Sequence, residues 1–212
     1  MSGILDLLNS DLGKSIVNGV AGETNQPQNK TQDVLTMALP LLTAAMKRNA
    51  NSPQGAEGLM NALNSKHDGS ILDNLGSLFE GGVNADVIND GGNILGHVLG
   101  SKQQHIENTL GAKSGMDSNS VSQILKIAAP LLMGLLGKQT RQQNVNTPND
   151  MGSLLGGLLA GNDSGHEQNF LESMLDADGD GSVIDDVAGM MLGGDKNKGG
   201  LGGVLGGLFG GK

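Results

Sequence analysis

Apolar residues along Val34, Leu35, Ala38, Leu41, Leu42 and Ala45 recur at spacings of three and four, the period of an amphipathic helix. The same spacing runs from about Ile4 to Val17 and again from about Asn93 to Leu110. Thr31 and the MDSNS stretch at 116–120 precede two longer helical segments. Their side-chain oxygens suit the first-turn N–H groups that a helix leaves unpaired, so the second helix is expected to begin there. No stretch shows the sustained alternation of a half-buried strand. The pattern predicts an all-α chain.

The pattern also repeats. QDVLTMALPLLTAAMKRN (32–49) falls without a gap on SQILKIAAPLLMGLLGKQ (122–139), a spacing of 90 that also carries Ile4-Leu5 onto Ile94-Leu95. Farther on, Pro53, Leu59-Met60 and Leu63 match Pro148, Leu154-Leu155 and Leu158 at a spacing of 95. Then HDGSILDNLGSLF (67–79) matches DGDGSVIDDVAGMML (178–192) at 112, so the second copy holds about 17 extra residues near NDSGHEQNFLESML. The expected organisation is two tandem copies of a small helical unit, at 1–90 and 91–193, followed by a Gly-rich tail at 194–212. Each copy carries a proline inside its central helix, Pro40 and Pro130. A proline there removes a donor and crowds the preceding turn, so both helices are expected to kink. A feature used twice reads as a packing device.

Composition narrows the picture. Leu, Ile, Val and Phe supply roughly a quarter of the chain, enough for a core, but there are three Phe, no Trp or Tyr and 36 Gly. With so few aromatics a large sheet is not expected. No cysteine is present, which excludes disulfides, thiolate metal sites and cysteine nucleophiles. The net charge of −9 argues against generic binding to a phosphate backbone. The N-terminus lacks the basic and continuous apolar regions of a leader, and no run reaches the roughly 20 apolar residues of a membrane span. A cytoplasmic location is the default expectation, with leaderless export left open. In the tail, Leu201, Val204, Leu205, Leu208 and Phe209 stand at helical spacing beside Gly199, Gly203, Gly207 and Gly211. That segment reads as a flexible tail, or as a helix for self-association or for docking a partner.

The clearest chemical signal is DADGDGSVIDD (176–186). Asp176, Asp178 and Asp180 alternate, Gly181 supplies a sharp turn, and Ser182 offers a backbone carbonyl, as at the opening of an EF-hand loop. Calcium takes six to eight hard oxygen ligands, and alternate side chains of a tight loop converge on one point. Position 12 of the loop is Val187, where an EF-hand has a bidentate Glu. Closure therefore falls to Asp185 or Asp186, with affinity of about 10⁻⁵–10⁻³ M. The other reading is an acidic turn capping the next helix. In the first copy, Asn64, Lys66, Asp68, Gly69 and Ser70 stand at the equivalent places. Lys66 puts a cation where a ligand is needed, so one calcium site per chain is expected. His67, His97, His105 and His166 form no metal signature, and no nucleophile motif or phosphate loop is present. The expectation is a non-enzymatic protein with a structural or interaction role. Its partner would be another copy or another protein, not nucleic acid.

Together GILDLLNSDLGKSIVNGV (3–20), the ALPLL and AAPLLMGLLGKQ helices, KHDGSILDNLG (66–76), DGGNILGHVLGSKQQHIENTLG (90–111) and LDADGDGSVIDDVAGM (175–190) resemble the YidB-like bacterial family of unknown function. The resemblance spans nearly all of 1–193. It implies a small all-helical fold with a homeodomain-like motif and no established activity. DNA binding would follow by analogy, but homeodomain readout uses a basic recognition helix and an Arg-bearing arm. This chain has only Arg48 and Arg141, and no helix has a basic stripe.

Overall fold

The computed structural model describes residues 3–160, in which the regular elements are helices joined by short turns, with no strand among the described residues. The elements in order are α1 (Ile4–Asn9), α2 (Asp11–Thr24), α3 (Gln28–Asn49), α4 (Pro53–Ser65), α5 (Ser70–Asp73) and α6 (Leu75–Phe79). After the short connection 80–84 come α7 (Ala85–Leu99), a 3-10 turn (Gly100–Lys102), α8 (Gln103–Ser114), α9 (Ser118–Gln142) and α10 (Pro148–Leu159).

The helix expected from Ile4 to Val17 is two helices, and Ser10 is the reason. Its Oγ donates to the Leu7 carbonyl at 2.6 Å and accepts from Gly13 N at 3.2 Å, closing α1 and opening α2. The segment expected from Asn93 to Leu110 also divides. Here Gly100 takes a left-handed φ of 54° between α7 and α8. The start after 116–120 comes slightly earlier than expected, at Ser118, where Asp117 Oδ1 accepts from Ser120 N at 2.9 Å. Thr31 is not a cap. Pro27 precedes the first turn of α3, and Thr31 lies inside that helix, fully buried, with no hydrogen-bond partner for its hydroxyl.

Pro40 and Pro130 lie within α3 and α9, and both helices run on through them. These are the two core helices. Val34, Leu35, Ala38, Leu41 and Leu42 of α3, and Val121, Ile124, Leu125, Ala129 and Leu136 of α9, are buried in one continuous cluster. Among the described residues α9 is the helix long and apolar enough to cross a bilayer, and most of its apolar stretch is buried inside the fold. The line between residues 90 and 91 falls inside α7, and helices from both sides of it pack together. α3 crosses α9; α2 and α4 also pack on α9, and α8 and α10 on α3.

Candidate metal loop and its counterpart at 66–70

Residues 66–70 connect α4 to α5 and hold the sequence Lys-His-Asp-Gly-Ser. Gly69 has φ +96°, a left-handed conformation that costs a residue with a Cβ and comes freely to glycine. The turn lets Asp68 Oδ1 accept from Ser70 N at 3.0 Å, covering a free donor at the start of α5. These bonds from Ser70, with the Arg141 guanidinium nearby, hold the Asp68 carboxyl below its ordinary range. Arg141 Nη2 lies 3.3 Å from Asp68 Oδ2, and Lys138 Nζ lies 3.1 Å from Asp73 Oδ1.

The loop is pressed onto the C-terminal turns of α9. A Cβ on Gly137 would stand 1.8 Å from the His67 carbonyl oxygen, so backbone meets backbone at that point. Ile71 and Leu72 lie against Gly134 one turn earlier. A close approach of this kind requires glycine on the receiving helix.

Lys66 and His67 meet a different element, α7. Asp90 of α7 accepts from Lys66 Nζ at 2.5 Å, and its other oxygen lies 3.6 Å from His67 Nε2. His67 is 8% exposed. Burial is the largest influence on it and holds its pKa below the usual imidazole value; Asp90 pulls upward and Lys66 pushes downward. The cation at position 66 is therefore already paired within the fold, as is the carboxylate of Asp68. Among the described residues, no group of three His, Asp or Glu side chains is placed to hold a metal ion.

Asp90 was not legible as a partner. It lies 24 residues from Lys66 in sequence, and nothing in its local pattern marks it. Glu107 was also missed. It is buried on α8, accepting from Gln103 Nε2 at 2.7 Å and from Ser122 Oγ at 3.0 Å. A signal existed: at the spacing of 90, Glu107 takes the place of Val17, a core residue. An apolar cavity of about 40 Å³ lies between α1, α2, α3, α5 and α9, with Leu7, Leu12, Ile16, Leu72 and Leu135 in its wall. Such a wall offers no group for acid–base or nucleophilic chemistry.

The expected calcium ligands Asp176, Asp178, Asp180, Ser182, Asp185 and Asp186 lie outside the described residues. So do the 17-residue excess near 162–175 and the tail at 194–212.

A family model described as bacterial protein of unknown function (DUF937) matches residues 6–139, more than half of the chain. The chain belongs to that family. The DUF937 match covers α2 to α8 entirely and most of α9, and so includes the loop at 66–70. No curated protein and no solved structure matches this DUF937 member.

Proposed function

We propose that this chain is a non-enzymatic, YidB-like helical protein of two tandem copies, with one calcium-binding loop at 176–186 and a structural or interaction role. Asp176, Asp178 and Asp180 supply carboxylate oxygens, Ser182 its carbonyl, and Asp185 or Asp186 closes the site. Calcium orders the 162–192 region and so fixes a surface for self-association or for a protein partner.

The observation that supports this reading is the turn at Asp68-Gly69-Ser70, where the aspartate oxygen points back into the turn and Gly69 supplies the left-handed residue. Asp180-Gly181-Ser182 has the same three residue types at the equivalent place. Arg141 of α9 sits beside the first copy's Asp68 carboxylate, and Lys66 stands where Asp178 stands in the second. A loop with three alternating aspartates and no such lysine needs its cation from solution. Calcium suits it better than magnesium, which holds to a stricter octahedron.

The two-copy part has its own support. α2 ends at Thr24 and α8 at Ser114, and each is followed by a left-handed residue, Asn25 at φ 55° and Gly115 at φ 65°. α4 and α10 both start on proline after a hydroxyl cap, Ser52 and Thr147.

The test is a circular dichroism melt of the whole chain in millimolar Ca²⁺, in EDTA, and in Mg²⁺. The absence of Trp and Tyr makes the backbone the right probe. At about 1 mM Ca²⁺ a Kd of about 10⁻⁵ M adds about 2.7 kcal/mol to the native state and one of about 10⁻³ M about 0.4 kcal/mol, so the midpoint is expected to rise with Ca²⁺ and not with Mg²⁺. Superimposable melts would leave the loop as a helix cap and favour metal-independent assembly through the tail.

A further inference from the structure

The connection 80–84 divides the described chain into α1–α6 and α7–α10, and each half is completed by the other. α4 leaves its own half to pack on α9, and α10 leaves its own to pack on α3. α2 packs on α9, and α8 on α3. The ion pairs Lys66–Asp90, Lys138–Asp73 and Arg141–Asp68 all join one half to the other. Backbone contact also crosses, with the His67 carbonyl seated on Gly137.

Two of the crossing polar contacts are close to being mates of each other. Gln26 Nε2 donates to Ser120 Oγ at 3.0 Å, and Lys30 Nζ donates to the Gly115 carbonyl at 2.7 Å. At the spacing of 90, Gln26 corresponds to Met116 and Lys30 to Ser120. The contact between 26 and 120 therefore maps onto one between 116 and 30, and Lys30 meets residue 115, next to that position. Contacts in which i meets j and the equivalent of j meets the equivalent of i are the mark of an isologous, two-fold interface. Here it is formed within one chain, where the α2–α3 corner meets the α8–α9 corner.

We propose that each half is an incomplete fold whose partner is a second copy of the same helical unit, so that the chain is a covalently joined, pseudo-symmetric pair. The docking surface of each half is the side of its central helix that its own helices leave uncovered, which takes the second and fourth helices of the other. The connection keeps the halves together: Val83 anchors it in the core, while the step at Gly81 and Gly82 stays on the surface. Gly81 and Gly82 within it are exposed, at φ +85° and +97°, and a Cβ on Gly81 would touch nothing. The proposal rests on the two-copy reading above and is independent of the metal.

The test uses the full chain with a protease recognition sequence inserted between Gly81 and Gly82, cut while folded. A second version carries the site between Glu80 and Gly81, so that a folding defect of one insertion does not decide the matter. The cut chain is expected to elute as one particle of the uncut mass, with its helical signal kept. Its melting midpoint is expected to rise by about 3–6 °C for each tenfold increase in concentration, as a bimolecular pair requires, while the uncut chain shows no such dependence. Halves that part on the column at micromolar concentration, folded or not, overturn the proposal and leave the calcium reading untouched. A melt indifferent to calcium defeats the metal reading and leaves this pairing untouched.

Discussion

α3 and α9 are alike along their buried faces and different at their C-terminal ends. Leu35 and Leu125, Ala38 and Ala128, Leu42 and Leu132 are buried at matching places. One and two turns beyond Pro130, Gly134 and Gly137 open α9 to the loop at 66–70, whereas α3 has Ala44 and Lys47 at those positions. On α3 the small residue belongs to the incoming helix instead, with Gly156 of α10 opposite Lys47, whose Nζ would lie 3.5 Å from a Cβ there. The comparison separates two roles. Core positions are held alike because both helices must fill the same cluster. The ends diverge because each receives a different neighbour.

The sharpest way to break that comparison is at the core, where the two helices should behave alike. Leu35→Ala and Leu125→Ala each remove a fully buried side chain and should each cost about 2–5 kcal/mol. Urea unfolding followed by circular dichroism measures both, and a large cost at one with almost none at the other would show that the helices do not share the burden. At the ends they should differ. Gly137→Ala drives a Cβ into the His67 carbonyl and should cost about 1–3 kcal/mol or more. Lys47→Ala, at the matching place on α3, removes a partly exposed side chain and should stay within about 0.5 kcal/mol.

Thr31 offers a change in the opposite direction. Its buried hydroxyl has no partner, and the matching residue of α9 is Val121, also buried. Leaving such a group unpaired costs about 1–3 kcal/mol, so Thr31→Val should raise the melting midpoint. A lower midpoint would mean that the hydroxyl is satisfied in solution.

The smallest expected effect is the pH response of the loop's anchor. His67 is held below the usual imidazole pKa by burial. Above about pH 6.5 it is neutral in both the folded and the unfolded chain and changes nothing. As pH falls through that value the unfolded chain takes up a proton that the folded one resists, and stability declines until the lowered folded pKa is passed. Unfolding free energies at pH 7.5 and 5.5 should differ less in His67→Gln than in the unaltered chain. Equal differences would remove His67 from the account.

Helix content and most of the core were legible in the sequence, because the spacing of three and four along 34–45 and its match at 124–135 set which faces are buried. Chain breaks were less so. Ser10 ends one helix and starts the next by a single side chain bonded to both, and no gap in apolar period marks it. The cap assigned to Thr31 failed because Pro27 already starts α3 one turn earlier, turning a good capping residue into a core one. The exchange of helices between halves was invisible for a different reason. Which surface an amphipathic helix meets is decided by shape and by distant partners such as Asp90 and Gly137, and periodicity reports only that a face is apolar. At the candidate site, residue types and spacing were readable in DADGDGSVIDD, which lies outside the described residues.

Calorimetric titration of Ca²⁺ into the whole chain, beside a double variant carrying Asp178→Ala and Asp180→Ala, tests the central claim most directly. One calcium per chain is expected, with a Kd of about 10⁻⁵–10⁻³ M, no comparable heat from Mg²⁺, and no binding by the double variant. Binding that survives both substitutions, or no binding to the unaltered chain at millimolar Ca²⁺, would contradict it.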